Sequence, residues 1–248
     1  MKLGLTSLTF RKRSIRETAE IAASLGLSGI EWGVSDLHMN LGSKEKAQEI
    51  KALSAEYGLE VFSLGSYCTM TDYADCVKNL QTAAMLDAPI IRVWAGEKAS
   101  AAVAPEEYKR ITENAAKMAD DAVKYGITLG FEYHRNTLTD TAEGAVRLVR
   151  DIGADNAKLY WQQDSEISLA ENEKNLLTVK PYLCGNLHIH NYTDAAFSYM
   201  PLEGIRDRIG RYYELLSDRD YRLMVEFCRK SLPESLADDV RVLREEMK

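Results

Sequence analysis

Short apolar runs alternate with amphipathic stretches from one end of the chain to the other. Leu3–Leu8 alternates apolar and small residues and predicts a first strand. Ser14 and Glu17 have the spacing of a capping box, in which each satisfies an early helix amide. Ile15, Ala19, Ala22 and Leu25 then recur at helical spacing, and Gly26 closes the helix. The same unit repeats. Strands are predicted at Ser28–Trp32, Leu59–Leu64, Pro89–Trp94, Ile127–Glu132, Ala157–Gln162, Asn186–His190 and Arg222–Phe227. Helices are predicted at Ser43–Tyr57, Asp72–Leu86, from Pro105 to the Tyr125-Gly126 pair, and at Thr141–Ile152, Leu169–Lys180, Ile205–Leu216 and Pro233–Glu246. Pro105 opens its helix where a missing amide does no harm.

Three junctions, Leu25-Gly26-Leu27, Tyr57-Gly58-Leu59 and Tyr125-Gly126-Ile127, each pass from a helix-ending glycine into an apolar strand. Eight strands alternating with eight helices, with short connections and no linker, predict a single-domain (β/α)8 TIM barrel of parallel strands spanning residues 1–248. A doubly wound sheet is the structural competitor. It would normally carry a glycine-rich phosphate loop after its first strand, and Thr6–Lys12 contains no glycine.

Charge narrows the partners. The formal net charge is −7, which leaves no electrostatic footprint for nucleic acid and suits metal ions and neutral polyols. Cys68, Cys76, Cys184 and Cys228 lie in separate segments without CxxC spacing, as reduced thiols of a cytoplasmic protein would. No segment has the ~18 apolar residues a membrane span needs, and the first residues are a poor signal peptide. The expectation is a soluble, cytoplasmic protein with no membrane partner. An exposed barrel face could support a homo-oligomer.

In barrels of this kind the active site forms at the carboxyl ends of the strands. Those ends carry Glu31 and Trp32, then His38; Arg92 and Trp94; Glu132, His134 and Arg135; Trp161, Gln162, Gln163 and Asp164; His188 and His190; and Glu226. All four histidines fall at or just beyond a predicted strand end. Alternate residues of a strand face the barrel interior, so Glu132 inward brings Gly130 and His134 with it, and His188 inward brings His190. Gln162 inward sends Trp161 and Gln163 outward, Trp161 as core packing. Arg92 and Trp94 share a face.

Glu132 within Phe-Glu-Tyr-His, Gln162 within Tyr-Trp-Gln, His188 within Leu-His-Ile-His-Asn and Glu226 within Val-Glu-Phe resemble the metal positions of the xylose isomerase-like TIM barrel superfamily. This is the sugar (phosphate) isomerase and epimerase group, and the resemblance covers essentially the whole chain. It implies a divalent metal held by Glu132, Gln162, His188 and Glu226, with Glu132 and Glu226 as the catalytic pair. Gln162 departs from the pattern, which usually has Asp there; its amide oxygen can coordinate a hard cation but brings no charge. Oxygen-rich ligands favour Mn2+ or Mg2+, and the imidazole keeps Zn2+ in play.

The implied reaction is proton transfer through an enediolate on a small-molecule sugar, with His38, Arg92, Trp94, His134, Arg135 and His190 as substrate contacts. A metal-dependent dehydratase acting on a polyol or inosose uses the same first step, and a non-catalytic sugar-binding barrel is the reading from another class. A Schiff-base aldolase lacks a suitably placed lysine, since Lys158 begins its strand and Lys230 lies past the last one. An endonuclease IV-like enzyme would need more histidines and a basic surface. The tyrosine-rich, polar Asn191–Gly204 segment reads as a lid over a neutral hydroxylated ligand.

Overall fold

A computed structural model describes residues 1–193 and 198–248. The strands run β1 (Lys2–Thr6), β2 (Gly29–Gly33), β3 (Glu60–Gly65), β4 (Ile90–Val93), β5 (Thr128–Glu132), β6 (Ala157–Gln162), β7 (Leu183–Ile189), β8 (Tyr192–Thr193), β9 (Ser198–Tyr199) and β10 (Arg222–Val225). β1 to β7 and β10 are parallel and close into a barrel, β10 pairing with both β7 and β1. β8 and β9 form a separate antiparallel hairpin, and residues 194–197, the centre of the expected lid, lie outside the described residues.

Helices α1 (Ile15–Ser24), α2 (Lys44–Glu56), α3 (Tyr73–Met85), α4 (Pro105–Val123), α5 (Ala142–Ile152), α6 (Leu169–Val179), α7 (Arg206–Leu215) and α8 (Pro233–Glu246) surround it. The chain is therefore the (β/α)8 barrel its periodicity predicts. No helix among the described residues is long and apolar enough to cross a membrane.

Local chemistry sets the punctuation. Ser14 Oγ accepts from the Glu17 amide while Glu17 accepts from the Ser14 amide, which completes the capping box. Gly26, Gly58 and Gly126 take positive φ of 61°, 66° and 65°, the left-handed turn that feeds each helix into its strand. The first strand stops at Thr6, earlier than the apolar run, because Ser7–Phe10 turns into a 3-10 helix whose Ser7 hydroxyl accepts the Gly33 amide. The seventh begins at Leu183, before Asn186, where the pairing with β6 shifts register. All four cysteines are free thiols, but Cys68 and Cys76 meet with sulfurs 3.6 Å apart.

The barrel interior is closed below by Phe62, Ile90, Tyr160 and Met224. Ile30 pairs with Val61 but Glu31 pairs with Ser63, so Phe62 is the extra residue of a bulge. Its ring occupies the space beside Gly4 and Gly29, where an added Cβ would come within 2.6 and 2.5 Å of it. The bulge lets Ser63, as well as Phe62, serve the interior, and that decides what surrounds Glu31.

One outer anchor is sensitive to pH. Asp239 of α8 is buried and accepts the Leu202 amide at 2.8 Å. Burial pushes its carboxyl from the usual 3.8 up to about 6, against the pull of that amide. The folded state therefore holds this proton more tightly than the unfolded chain, and the group's contribution to stability falls as pH rises from about 4 to 6. Asp239→Asn keeps an acceptor and removes the charge. Urea unfolding at several pH values should show the wild type losing, relative to the variant, on the order of 1–2 kcal/mol across that window.

Candidate active site

The cavity at the carboxyl ends of the strands has a volume of about 460 Å³. Its floor is made by Glu132, the last residue of β5, Gln162, the last residue of β6, and Glu226, just past β10. His188 of β7 lies fully buried beneath them. The ladder sets this grouping: Gln162 is level with His188, and His188 is level with Met224, two residues before Glu226. Glu226 is fixed by its amide to the Ile189 carbonyl, and the next residue, Phe227, takes a positive φ of 60° with its amide on Thr9 Oγ1. A left-handed aromatic residue is uncommon, and here it ends the strand and leaves the Glu226 side chain at the cavity floor.

The His188 Nδ1 atom lies 3.5 Å from Glu132 Oε1 and 3.4 Å from Glu226 Oε2. One ligand atom from each of these three residues falls within 4.8 Å of the others. Gln162 donates through Nε2 to the Tyr133 carbonyl at 3.0 Å, which leaves its Oε1 buried and unpartnered. His188 Nδ1 has no hydrogen-bond partner either. Buried polar atoms are rarely left so, and the clustered donors of Glu132, His188 and Glu226, with the unpartnered Gln162 Oε1 in the same cavity, fit a divalent cation.

Charge agrees. Glu31, Glu132 and Glu226 bring three carboxylates, Arg92 returns one positive charge, and a dication cancels the remainder. The neutral amide of Gln162 thus suits the set; an Asp there would leave it one charge negative.

Arg92 of β4 is the internal counter-ion. Its Nε donates to Glu31 Oε1 at 3.0 Å and its Nη1 to Glu132 Oε2, all three side chains being almost fully buried. Trp94 Nε1 also donates to Glu132 Oε2. Burial pushes both carboxyls up, but the Arg92 guanidinium, helped by His188, outweighs it and holds them well below the usual carboxylate range. Arg92 is therefore committed to holding the floor together.

The remaining expected contacts divide. Trp94, His134, Arg135 and His190 line the cavity, with His134 stacked on Trp94 at 4.7 Å and Arg135 paired to Glu166 at 3.6 Å. His38 does not reach it. Its ring is fully buried edge-on to Trp32, with Nε2 3.0 Å from the Arg13 carbonyl, so it ties the loop after β2 to the chain before α1. Trp161 faces outward onto Tyr212 of α7, as strand parity requires. Gln163 does not follow parity; it lies beyond the strand end, turns to the cavity and donates to the His190 carbonyl.

Sequence reading left Glu31 without a role, covered Tyr199 only as part of the tyrosine-rich lid, and omitted Tyr160, Tyr67 and Phe227; Tyr67, Tyr199 and Phe227 line the cavity. An acid inside the otherwise apolar Gly-Ile-Glu-Trp-Gly strand was the available signal. Tyr67 and Phe227 sit on loops and Tyr199 in the short hairpin, where no periodicity marks them.

With this geometry in view, comparison places the chain among known proteins. Residues 19–246 match the family model described as the xylose isomerase-like TIM barrel, and the chain belongs to that family. A 3-dehydroshikimate dehydratase of Bacillus anthracis is 24% identical over 169 residues, 64% of this chain; the chain spans 60% of that protein's length. The crystal structure of a probable 3-DHS dehydratase from Bacillus anthracis superposes with a TM-score of 0.77 at 20% identity, over 98% of this chain and 99% of the other. D-psicose 3-epimerase with D-tagatose, from Clostridium cellulolyticum H10, superposes at 0.69 with 18% identity, over 100% and 96%.

Burial opposes charge on His188, but Glu226, Glu31 and Glu132 overcome it and keep the imidazole protonated well above its ordinary range. A cation that takes Nδ1 must displace a proton. Titration of the metal-free protein with Mn2+ in two buffers of different ionisation enthalpy should show release of about one proton near neutral pH, and affinity that rises with pH.

Proposed function

We propose that this protein is a divalent-metal-dependent isomerase or epimerase of a small sugar, working by proton transfer at a carbon next to a carbonyl. The observation that carries the reading is the convergence of the Glu132 and Glu226 carboxylates on His188 Nδ1, at 3.5 and 3.4 Å, on the floor of a solvent-reachable cavity. Glu132, Gln162, His188 and Glu226 would hold the cation, with Mn2+ or Mg2+ matching the oxygen donors. When bound, it supplies positive charge beside the substrate oxygens and lowers the cost of an enediolate.

The two carboxylates are not equivalent. Glu132 Oε2 is occupied by Arg92 and Trp94, so that group is fixed and anionic, with Oε1 directed to the site. The Glu226 side chain is 13% exposed against 3% for Glu132, and Phe227 holds its backbone rather than its carboxylate. Glu226 is thus the better placed to take the carbon proton, while Glu132 Oε1 serves the other face. Trp94 and the His134 ring stacked on it form an aromatic wall against which a sugar ring can lie. Arg92, spent on Glu31 and Glu132, offers little to a substrate anion, which favours an uncharged sugar.

The similarity to a dehydratase supports a second reading with the same deprotonation followed by loss of a β-hydroxyl. The leaving oxygen then needs a proton, and His134 at the cavity wall is placed to give it.

Incubating metal-loaded protein with ketohexoses, pentoses, their phosphates and inososes in D2O separates the two. Isomerisation or epimerisation gives a product of unchanged formula with deuterium at the exchanged carbon; dehydration gives one lighter by a water. Glu226→Gln should slow exchange by about 10²–10⁴-fold. Wild-type exchange in that variant would overturn the two-carboxylate scheme.

A further inference from the structure

We infer that Glu31 is a positioning residue for the metal centre: it holds the Nε2–H of His188 and so presents Nδ1 to the cation. The inference rests on the reading of Glu132, Gln162, His188 and Glu226 as a cation site.

An imidazole can ligate through either nitrogen, and a ring that is free to turn over presents the wrong one. His188 is not free. Its Nε2 lies 3.2 Å from Glu31 Oε1, on the side away from Glu132 and Glu226. The Tyr160 ring packs against it at 4.7 Å. A carboxylate behind the imidazole fixes which nitrogen keeps its hydrogen and makes the other a stronger donor.

Glu31 is itself held on every side. Ser63 Oγ donates to Oε2 at 2.8 Å, Tyr160 Oη to Oε2 at 2.7 Å and Arg92 Nε to Oε1 at 3.0 Å. Three donors from three strands therefore aim one carboxylate at one imidazole. The wall beside it must be a glycine: a Cβ on Gly65 would come within 2.7 Å of Glu31 Oε1. This is more structure than a buried ion pair with Arg92 needs, since Arg92 already has Glu132.

Glu31 does not line the cavity, so substrate contact does not explain its burial. Its effect must pass through His188 or through Arg92. Ser63→Ala removes one donor and leaves both links. Glu31→Gln removes the charge, and Glu31→Asp keeps the charge but withdraws it from Nε2.

The test uses the full chain, Mn2+ titration for affinity and ¹⁵N spectra of the histidine rings in the Mg2+-loaded form. The wild type should show His188 protonated at Nε2, with slow exchange of that hydrogen. Glu31→Gln and Glu31→Asp should bind Mn2+ about 10- to 100-fold more weakly and exchange the Nε2 hydrogen faster, and Ser63→Ala, which leaves Tyr160 and Arg92 holding Glu31, should shift both in the same direction by less. Wild-type affinity and ring signals in both Glu31 variants would overturn the inference and leave the cation site standing. Absence of Mn2+ uptake by the wild type would instead remove the cation site itself. Should neither variant fold, the wild-type ring decides, because a His188 bearing its hydrogen on Nδ1 in the loaded form contradicts the assignment.

Discussion

Everything at the centre of this barrel answers to one electrostatic constraint. Three glutamates, one arginine and one histidine stand together, all but Glu226 almost fully buried, and isolated charges are costly in such surroundings. Arg92 resolves the inner half by bridging Glu31 and Glu132. The outer half, where Glu132 and Glu226 face Nδ1 of His188, retains two negative charges that a divalent cation would balance. Stability and the proposed function thus draw on the same side chains. A change at Arg92 would leave two buried carboxylates without their partner, and damage to the fold would accompany damage to the chemistry.

The scaffold meets this constraint by local irregularity. The bulge at Phe62 seals the lower barrel and turns Ser63 towards Glu31 in one step. Gly65 gives the Glu31 carboxylate its room. The register shift between β6 and β7 brings Gln162 level with His188, and the left-handed turn at Phe227 sets Glu226 on the floor. A barrel of regular strands could supply the same residues but not the same convergence. Around the mouth, Tyr67, Trp94 and His134 form one aromatic wall, and Tyr192, Tyr199 and Phe227 another, with Tyr199 stacked on Phe227 at 4.6 Å. Solved structures named as a probable 3-DHS dehydratase and as a D-psicose 3-epimerase share this barrel frame, and a shared frame does not by itself fix a reaction.

Much of this was written in the chain itself. Apolar periodicity, the Ser14–Glu17 box and the glycines at 26, 58 and 126 depend on residues within a turn or two of one another, so they specify the helices, the strands and their order without reference to the rest of the fold. Strand parity likewise ties His134 to the face of Glu132 and sets Trp161 opposite Gln162 within their own strands. Tertiary structure decided what depends on distant partners. Arg92 is an internal counter-ion because Glu31 and Glu132 reach it from other strands, and His38 is a loop anchor because the Arg13 carbonyl meets its ring. Gln163 enters the cavity because alternation ends where the strand does. Glu31 carried a hint in its apolar strand, but its role comes from side chains 32, 61, 129 and 157 residues away. Local pattern fixes backbone direction; which charges meet is a property of the closed barrel.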